Sequence, residues 1–307
     1  MRSIMKRALV ALLTTAAFGV QAQTKITLGH TGVADYLAAF VAQEEGMFRK
    51  HGLDMTFQQV AGGALAPGLQ GGSLQIATLP PTNLLLANEG GLDLLAVAGT
   101  SVIEKGDQTT GLLVGTASGI ESPKDLAGKK LGVPSIGGFL YVMARKWVSD
   151  QGVDPKQVNF VEVNFPQTGD LLKSGSIQAG VSAEPFLKRA VATGAAKPLA
   201  YFADTLPPQT TGVLYASTRQ WATANPAAIK GFRAAIAEAV AFAASNPQAA
   251  RAHLGKYIKL PPEVLASIPM PRLYAQVTEP QMRFWVDTMH NMGLVKTKAN
   301  AAPLIAP

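Results

Sequence analysis

The sequence predicts a two-lobed α/β protein, with a mainly parallel sheet and flanking helices in each lobe and two chain crossings that form a hinge. Two observations carry this. Four short segments recur in order at a spacing of about 100 residues. Within each copy, strand-like runs alternate with helical ones, the pattern of a parallel sheet. The 307 residues, 48% hydrophobic, supply apolar surface for two cores at ~150 residues per domain.

The recurrences are specific. Leu28-Gly29 and Leu131-Gly132 each open a Gly-containing loop and then a helix. Gly52-Leu53-Asp54 and Gly152-Val153-Asp154 follow those helices. Gly72-Ser73-Leu74-Gln75 and Gly175-Ser176-Ile177-Gln178 each precede an apolar strand. Thr109-Thr110-Gly111-Leu112-Leu113 matches Thr210-Thr211-Gly212-Val213-Leu214. Any one match is noise, but four in register indicate two lobes of similar build. Two copies are too few for a solenoid.

In the first copy, Lys25–Gly29 reads as a strand, and Asp35 as the cap of a helix running to Glu45 and stopped by Gly46. Leu53–Val60 alternates apolar and polar as a half-buried strand does. Ile76–Leu79 reads as a buried strand, Thr82–Glu89 as a helix ended by Gly90, and Leu92–Ala98 as a strand. The second copy opens on Ser122-Pro123-Lys124-Asp125, a capping box with Pro at the first helical position. Its strands are Leu131–Val133, Val158–Val163, Ile177–Val181 and Leu199–Phe202. Its helices are Phe139–Asp150, Gln167–Lys173 and Phe186–Thr193. In the tail, Asn225-Pro226 starts a helix with Ile229, Phe232, Ile236 and Val240 on one buried face. Shorter helices follow at Pro247–Tyr257, Pro262–Ser267 and Thr278–Met292, and the tail is expected to pack back on the first lobe. The two Thr-Thr-Gly strands are then the two crossings. The expected division is a leader at 1–22, the first lobe at 23–113, the second at 114–206, and a return strand with C-terminal helices at 207–307.

The leader follows from its layout. Arg2, Lys6 and Arg7 precede an uncharged, mostly apolar run, Ala8 to Val20, and Val20-Gln21-Ala22 suits a cut after Ala22. That is a secretory signal peptide, too short in its apolar run for a membrane anchor. The expected location is the bacterial periplasm. The absence of Cys excludes disulfides, thiolate metal sites, a Cys nucleophile and a lipidated N-terminal Cys. The net charge of +7 falls by three once the leader is cut, too mild for a nucleic-acid partner. No Ser/His/Asp trio with motif spacing, no His-Glu-x-x-His and no phosphate-binding glycine loop occurs. No catalytic residue, metal or cofactor is expected.

The run Ala39-Phe40-Val41-Ala42-Gln43-Glu44-Glu45-Gly46-Met47-Phe48, then Gly52-Leu53-Asp54, resembles a hallmark of periplasmic binding proteins of the nitrate/sulfonate/taurine and thiamine-pyrimidine (SsuA-like) group. So does Asp125-Leu126-Ala127-Gly128-Lys129-Lys130-Leu131-Gly132-Val133. Gly152-Val153-Asp154-Pro155 and Glu184-Pro185-Phe186 fall on further family motifs. The resemblance spans about Ile26 to Tyr215, and more weakly the tail. One departure is Gln75 and Gln178, where many members carry Asp; both sit at strand starts, away from the expected cleft. The resemblance implies a type II periplasmic-binding-protein-like fold and a soluble, monomeric transport receptor, not an enzyme. It would close on a small molecule and dock on an inner-membrane ABC permease with its cytoplasmic ATPase. The ligand expected is a monoanion or zwitterion of the sulfonate, taurine or nitrate class, with a thiamine-related pyrimidine as the alternative. Pyrimidine synthases on the same fold are cytoplasmic and Cys-rich, unlike this chain. A sensory receptor is not separable from a transport receptor by sequence.

Ligands of open parallel sheets sit beyond the carboxyl ends of the strands. That rule selects His30, Thr31 and Tyr36 after the first strand, then Gly63, then Thr78, Pro81 and Thr82, then Thr100. In the second lobe it selects Ser135, Gly137, Gly138 and Phe139, then Asn164, then Glu184, with Tyr201 near the return crossing. His30 suits a loop hydrogen bond as well as a ligand. Thr82 is a helix cap before it is a contact. Ser135, Gly137 and Gly138 let backbone approach a ligand at a helix start. Glu184 is either a helix N-terminal carboxylate or, facing the cleft, a partner for an amine, amide or ring N–H. Tyr36, Phe139, Phe165 and Tyr201 suit core or ligand wall, the two Phe more the core. None of these loops carries Lys or Arg, which argues against a multiply charged anion.

Overall fold

In the computed structural model, which describes residues 23–259 and 261–307, the tandem copies fold into two five-stranded sheets. The expected leader lies outside the described residues. The first copy gives β1 (Thr24–His30), β2 (Leu53–Gln59), β3 (Ile76–Leu79) and β4 (Leu94–Gly99), with α1 (Leu37–Glu44), α2 (Met47–Lys50), α3 (Leu65–Gln70) and α4 (Pro81–Glu89) between them. After β5 (Ser101–Val102) and β6 (Thr110–Gly115), the second copy gives β7 (Lys130–Val133), β8 (Asn159–Glu162), β9 (Ala179–Ala183) and β10 (Ala196–Tyr201). Its helices are α5 (Phe139–Asp150), α6 (Phe165–Ser174) and α7 (Phe186–Ala192). The tail holds β11 (Leu214–Thr218), α8 (Arg219–Ala224), α9 (Pro226–Ser245), α10 (Pro247–Tyr257), α11 (Pro262–Ser267), β12 (Arg272–Leu273) and α12 (Glu279–Asn291).

The sheets have the same plan. The first runs β2-β1-β3-β11-β4 and the second β8-β7-β9-β6-β10. In each, the fourth strand is antiparallel to its neighbours and arrives from the other lobe. β6 starts within the first Thr-Thr-Gly segment and β11 follows directly on the second, so the crossings are where the repeat placed them. β6 spans the division expected at 113 and pairs wholly within the second sheet. The crossings also touch: the Ile103 N–H donates to the Thr210 carbonyl at 2.8 Å.

The recurring segments have a physical reason. Leu28 pairs with Ile76, and Leu131 pairs with Ala179, the same register in both lobes. Gly29 leaves room for Leu74: a Cβ there would lie 2.4 Å from the Leu74 side chain. Gly132 does the same for Ile177, at 2.9 Å. The two glutamines that depart from the family pattern act identically. Gln75 accepts from the Thr27 N–H and donates to the Gly72 carbonyl, both at 2.8 Å. Gln178 accepts from the Lys130 N–H at 3.1 Å and donates to the Gly175 carbonyl at 2.8 Å. Each ties a turn to the start of the central strand, far from the carboxyl ends.

Several boundaries differ from expectation. Asp35 is not a helix cap. It lies inside a 3-10 turn, Ala34–Tyr36, that leads into α1, and its side chain is engaged elsewhere. The Ser122–Asp125 box closes as predicted but caps only a 3-10 turn, Pro123–Leu126. β4 starts at Leu94 because the Asn88 side chain brackets Leu94, accepting its N–H and donating to its carbonyl. β9 starts at Ala179, since Ile177 packs under the turn. The tail packs on the first lobe: Phe232 of α9 stacks on Phe48 at 5.4 Å, and Tyr257 of α10 on Phe40 at 4.2 Å.

Candidate functional site

The carboxyl ends of both sheets face each other across a cavity lined by both lobes. The first lobe lines it with the loop after β1, the openings of α3 and α4, and the start of β5. The second lobe contributes the loop before α5, the start of α6 and the end of β9. The crossings form its base through Ile103, Thr110, Gly212 and Val213.

The lobes are in contact across this cleft. Asn83 of α4 donates to Ser135 Oγ at 3.2 Å, and the Ala34 N–H to the Glu184 carbonyl at 3.2 Å. Glycines permit the approach. A Cβ at Gly62 would lie 2.8 Å from the Pro134 carbonyl oxygen, closer than such contacts come. Gly62→Ala should therefore hold the lobes apart, since backbone on both sides cannot give way cheaply. The expected result is a larger radius in solution scattering and ligand binding weaker by ~1–3 kcal/mol, the usual range for overpacking. An unchanged radius and affinity would show that closure does not need this approach.

The lining is mostly apolar, with Tyr36, Leu65, Ile103, Phe139 and Phe165 prominent, and it contains no Lys or Arg. Its one ionisable acid is Asp35. Asp35 Oδ1 accepts from Ser101 Oγ at 2.5 Å. Burial pushes its carboxyl above the usual range against that hydrogen bond, and the charge of Asp107 adds to the rise. Opposite in character are the openings of α4 and α5. Backbone N–H groups in the first turn of a helix have no intrahelical acceptor. Those of Asn83, Phe139 and Leu140, all lining residues, are of this kind.

Of the residues selected from sequence, the structure brings Thr31, Tyr36, Thr78, Ser135, Gly138 and Phe139 to the cavity wall. Thr31 Oγ1 and Tyr36 OH are 2.8 Å apart. Asn164 caps α6 and lines an adjoining outer recess that shares Thr31 and Phe165 with the cavity. The others stand back. His30 is buried behind Tyr36, edge-on to Tyr36, Phe40 and Phe57. Burial lowers its pKa to about 4, so its ring is neutral at pH 7. Gly63 faces the Glu162 carboxylate, and Gly137 faces Leu86. Pro81 and Thr82 lie in the first turn of α4, behind Pro80. Thr100 donates to the Val213 carbonyl and stitches the return crossing. Tyr201 packs on Gly111. Glu184 is buried beside the cavity rather than on its wall. Sequence reasoning missed Asp35, which reads locally as a cap, and the crossing residues. A hinge made of two strands has to run along the base of the cleft, so the Thr-Thr-Gly segments already pointed to them.

Among the described residues no group of His, Asp and Glu side chains is placed to hold a metal, and no helix is long and apolar enough to cross a membrane.

Residues 33–250 match the NMT1/THI5-like family. An Escherichia coli K12 protein named for aliphatic sulfonate binding is 24% identical over 273 residues, covering 87% of this chain and 83% of that one. A Haemophilus influenzae protein named for thiamine biosynthesis is 30% identical over 150 residues, 48% of this chain and 46% of that one. The alkanesulfonate-binding protein SsuA from Xanthomonas axonopodis pv. citri, solved bound to MOPS, superposes with a TM-score of 0.77 at 19% identity. That match covers 92% of this chain and 98% of that one. The two-lobed fold is therefore that of periplasmic binding proteins.

Proposed function

The chain belongs to the NMT1/THI5-like family, and we propose that it is a periplasmic solute-binding protein that delivers a small, nitrogen-bearing organic molecule to an ABC importer. The basic and apolar leader exports it, and the lobes close on the ligand by hinge rotation. The closed form then docks, as a monomer, on an inner-membrane permease driven by a cytoplasmic ATPase. The chain carries out no chemistry on its ligand.

The observation that carries the ligand class is Asp35. A buried carboxylate whose side-chain partner is a single hydroxyl needs a donor or a cation. A bare monoanion such as nitrate or ethanesulfonate would meet that carboxylate unpaired. At ~5 Å and an effective dielectric constant of ~20, two like charges repel by about 3 kcal/mol. A zwitterion fits better. Its ammonium or ring N–H pairs with Asp35 and Ser101, and its acidic group meets the free N–H groups opening α4 and α5. The thiamine-type pyrimidine satisfies the same carboxylate through its amino group, and the aromatic walls Tyr36, Phe139 and Phe165 favour a flat ring.

The test is thermal unfolding of the chain from Gln23 with taurine, 4-aminopyrimidine, ethanesulfonate and nitrate. Ligand at 100 times its dissociation constant adds ~2.7 kcal/mol, which is a rise of roughly 5–11 °C at ~2–4 °C per kcal/mol. Taurine or the aminopyrimidine should produce it, and ethanesulfonate and nitrate should not. A shift with ethanesulfonate equal to that with taurine would remove Asp35 from the reading. Turnover of any compound would replace the receptor with an enzyme.

A further inference from the structure

A second carboxylate lies buried at the hinge end of the cleft. Glu184 is 4% exposed, and its Oε2 has no hydrogen-bond partner. It belongs to the second lobe, just past β9, yet its carbonyl accepts the N–H of Ala34, the residue before Asp35 in the first lobe. Beside it, Thr110 lines the cavity at 7% exposure, and its Oγ1 is also without a partner. Each lobe thus brings a carboxylate to one corner. That corner adjoins the crossings, where the Glu184 N–H donates to the Thr109 carbonyl.

The surrounding charges leave the pair without a cation. Lys188, one turn along α7, gives its backbone N–H to Glu184 but directs its ammonium to the Ser267 carbonyl at 2.6 Å. Asp107 is paired with Arg272, and Asp204 accepts the Gly106 N–H. Tyr36 and Tyr201, the phenols nearest the two acids, lack a charge to offer. Burial pushes the Glu184 carboxyl up to about 7; Lys188 opposes the rise and Asp35 adds to it.

We propose that the closed cleft carries one exchangeable positive charge: in the empty protein a proton on Glu184, behind the cavity wall, and in the filled one the ligand's cationic nitrogen, held at Asp35 on that wall. On capture, the O–H bond of the Glu184 carboxyl breaks, its electron pair stays on the carboxylate, and the proton leaves to solvent. The ammonium keeps its own protons. Glu184 is then a specificity residue, because a neutral donor lacks the charge that displaces the proton. This rests on the nitrogen-bearing ligand proposed above. Because capture releases a proton below about pH 7, affinity rises with pH there, by up to tenfold per pH unit, and levels off above it.

Two measurements test it. In the empty chain, 13C NMR of the glutamate carboxyls should show one signal titrating near pH 7 that is missing from Glu184→Gln. If every glutamate titrates in the ordinary range, the proton is not there and the proposal falls, whatever the ligand is. In calorimetry with taurine at pH 6, in two buffers of different ionisation enthalpy, about one proton should leave per taurine bound. Glu184→Gln should bind taurine with almost none released. Binding without proton release in the unsubstituted chain overturns the exchange. If taurine does not bind, the ligand reading fails by itself and the carboxyl titration still decides where the proton sits.

Discussion

Asp35→Asn should cost ligand binding ~2–5 kcal/mol, a loss of at least ~30-fold, while leaving the empty protein as stable or more so. The two effects have opposite signs for one reason. In the empty protein, Asp35 is a carboxylate in an apolar wall with one hydroxyl donor, Ser101, and with Asp107 adding like charge. Removing its charge relieves that repulsion. In the filled protein the same charge is the partner of the ligand nitrogen, and an amide offers a weaker acceptor and a donor that the ligand cannot use. Ser101→Ala should do less, since the carboxylate remains. The check is titration calorimetry with the panel compound that binds, beside thermal unfolding of the empty variant. Equal affinity in Asp35→Asn would mean that the ligand's nitrogen does not meet this residue. Reduced affinity together with a lowered melting temperature would mean that Asp35 holds the loop after β1 rather than the ligand.

The repeat was legible because each recurring residue does a local job twice. Gly29 and Leu74, or Gly132 and Ile177, need only each other, and the glutamines that follow need only the turn and strand beside them. What was not legible depends on partners far along the chain. Asp35 before a helix has the sequence signature of a cap, and only Ser101, brought beside it by the fold, shows otherwise. His30 follows a strand that points at the cleft, but its ring is turned among Tyr36, Phe40 and Phe57. Glu184 was open between two roles, and its N–H bond to the Thr109 carbonyl sets it beside the first crossing. Short elements also escaped. α3 contains Pro67 and Gly68, which break a helical pattern, and β5 and β12 are two residues each, too short for any periodicity.

Trp285→Ala should produce the largest loss of stability among these substitutions, about 3–5 kcal/mol, the range for removing a buried aromatic side chain. The side chain is completely buried, and Nε1 donates to the Thr211 carbonyl at 2.8 Å. Its ring meets Phe139 at 5.6 Å and Phe284 at 4.9 Å, both edge-on. Thr211 lies in the return crossing, and Phe139 opens α5 in the second lobe. One residue of α12 therefore holds the tail, the hinge and the mouth of the second lobe together. For a chain of this length the melting temperature should drop by roughly 6–20 °C at ~2–4 °C per kcal/mol. Trp285→Phe separates the two contributions. It keeps most of the apolar contact and leaves the Thr211 carbonyl without its donor, a cost of ~1–3 kcal/mol. If the tail only covers the first lobe, both variants lower stability and leave ligand affinity untouched. If the tail braces the hinge, Trp285→Phe also weakens binding, because the closed arrangement of Phe139 against the crossing loses its support.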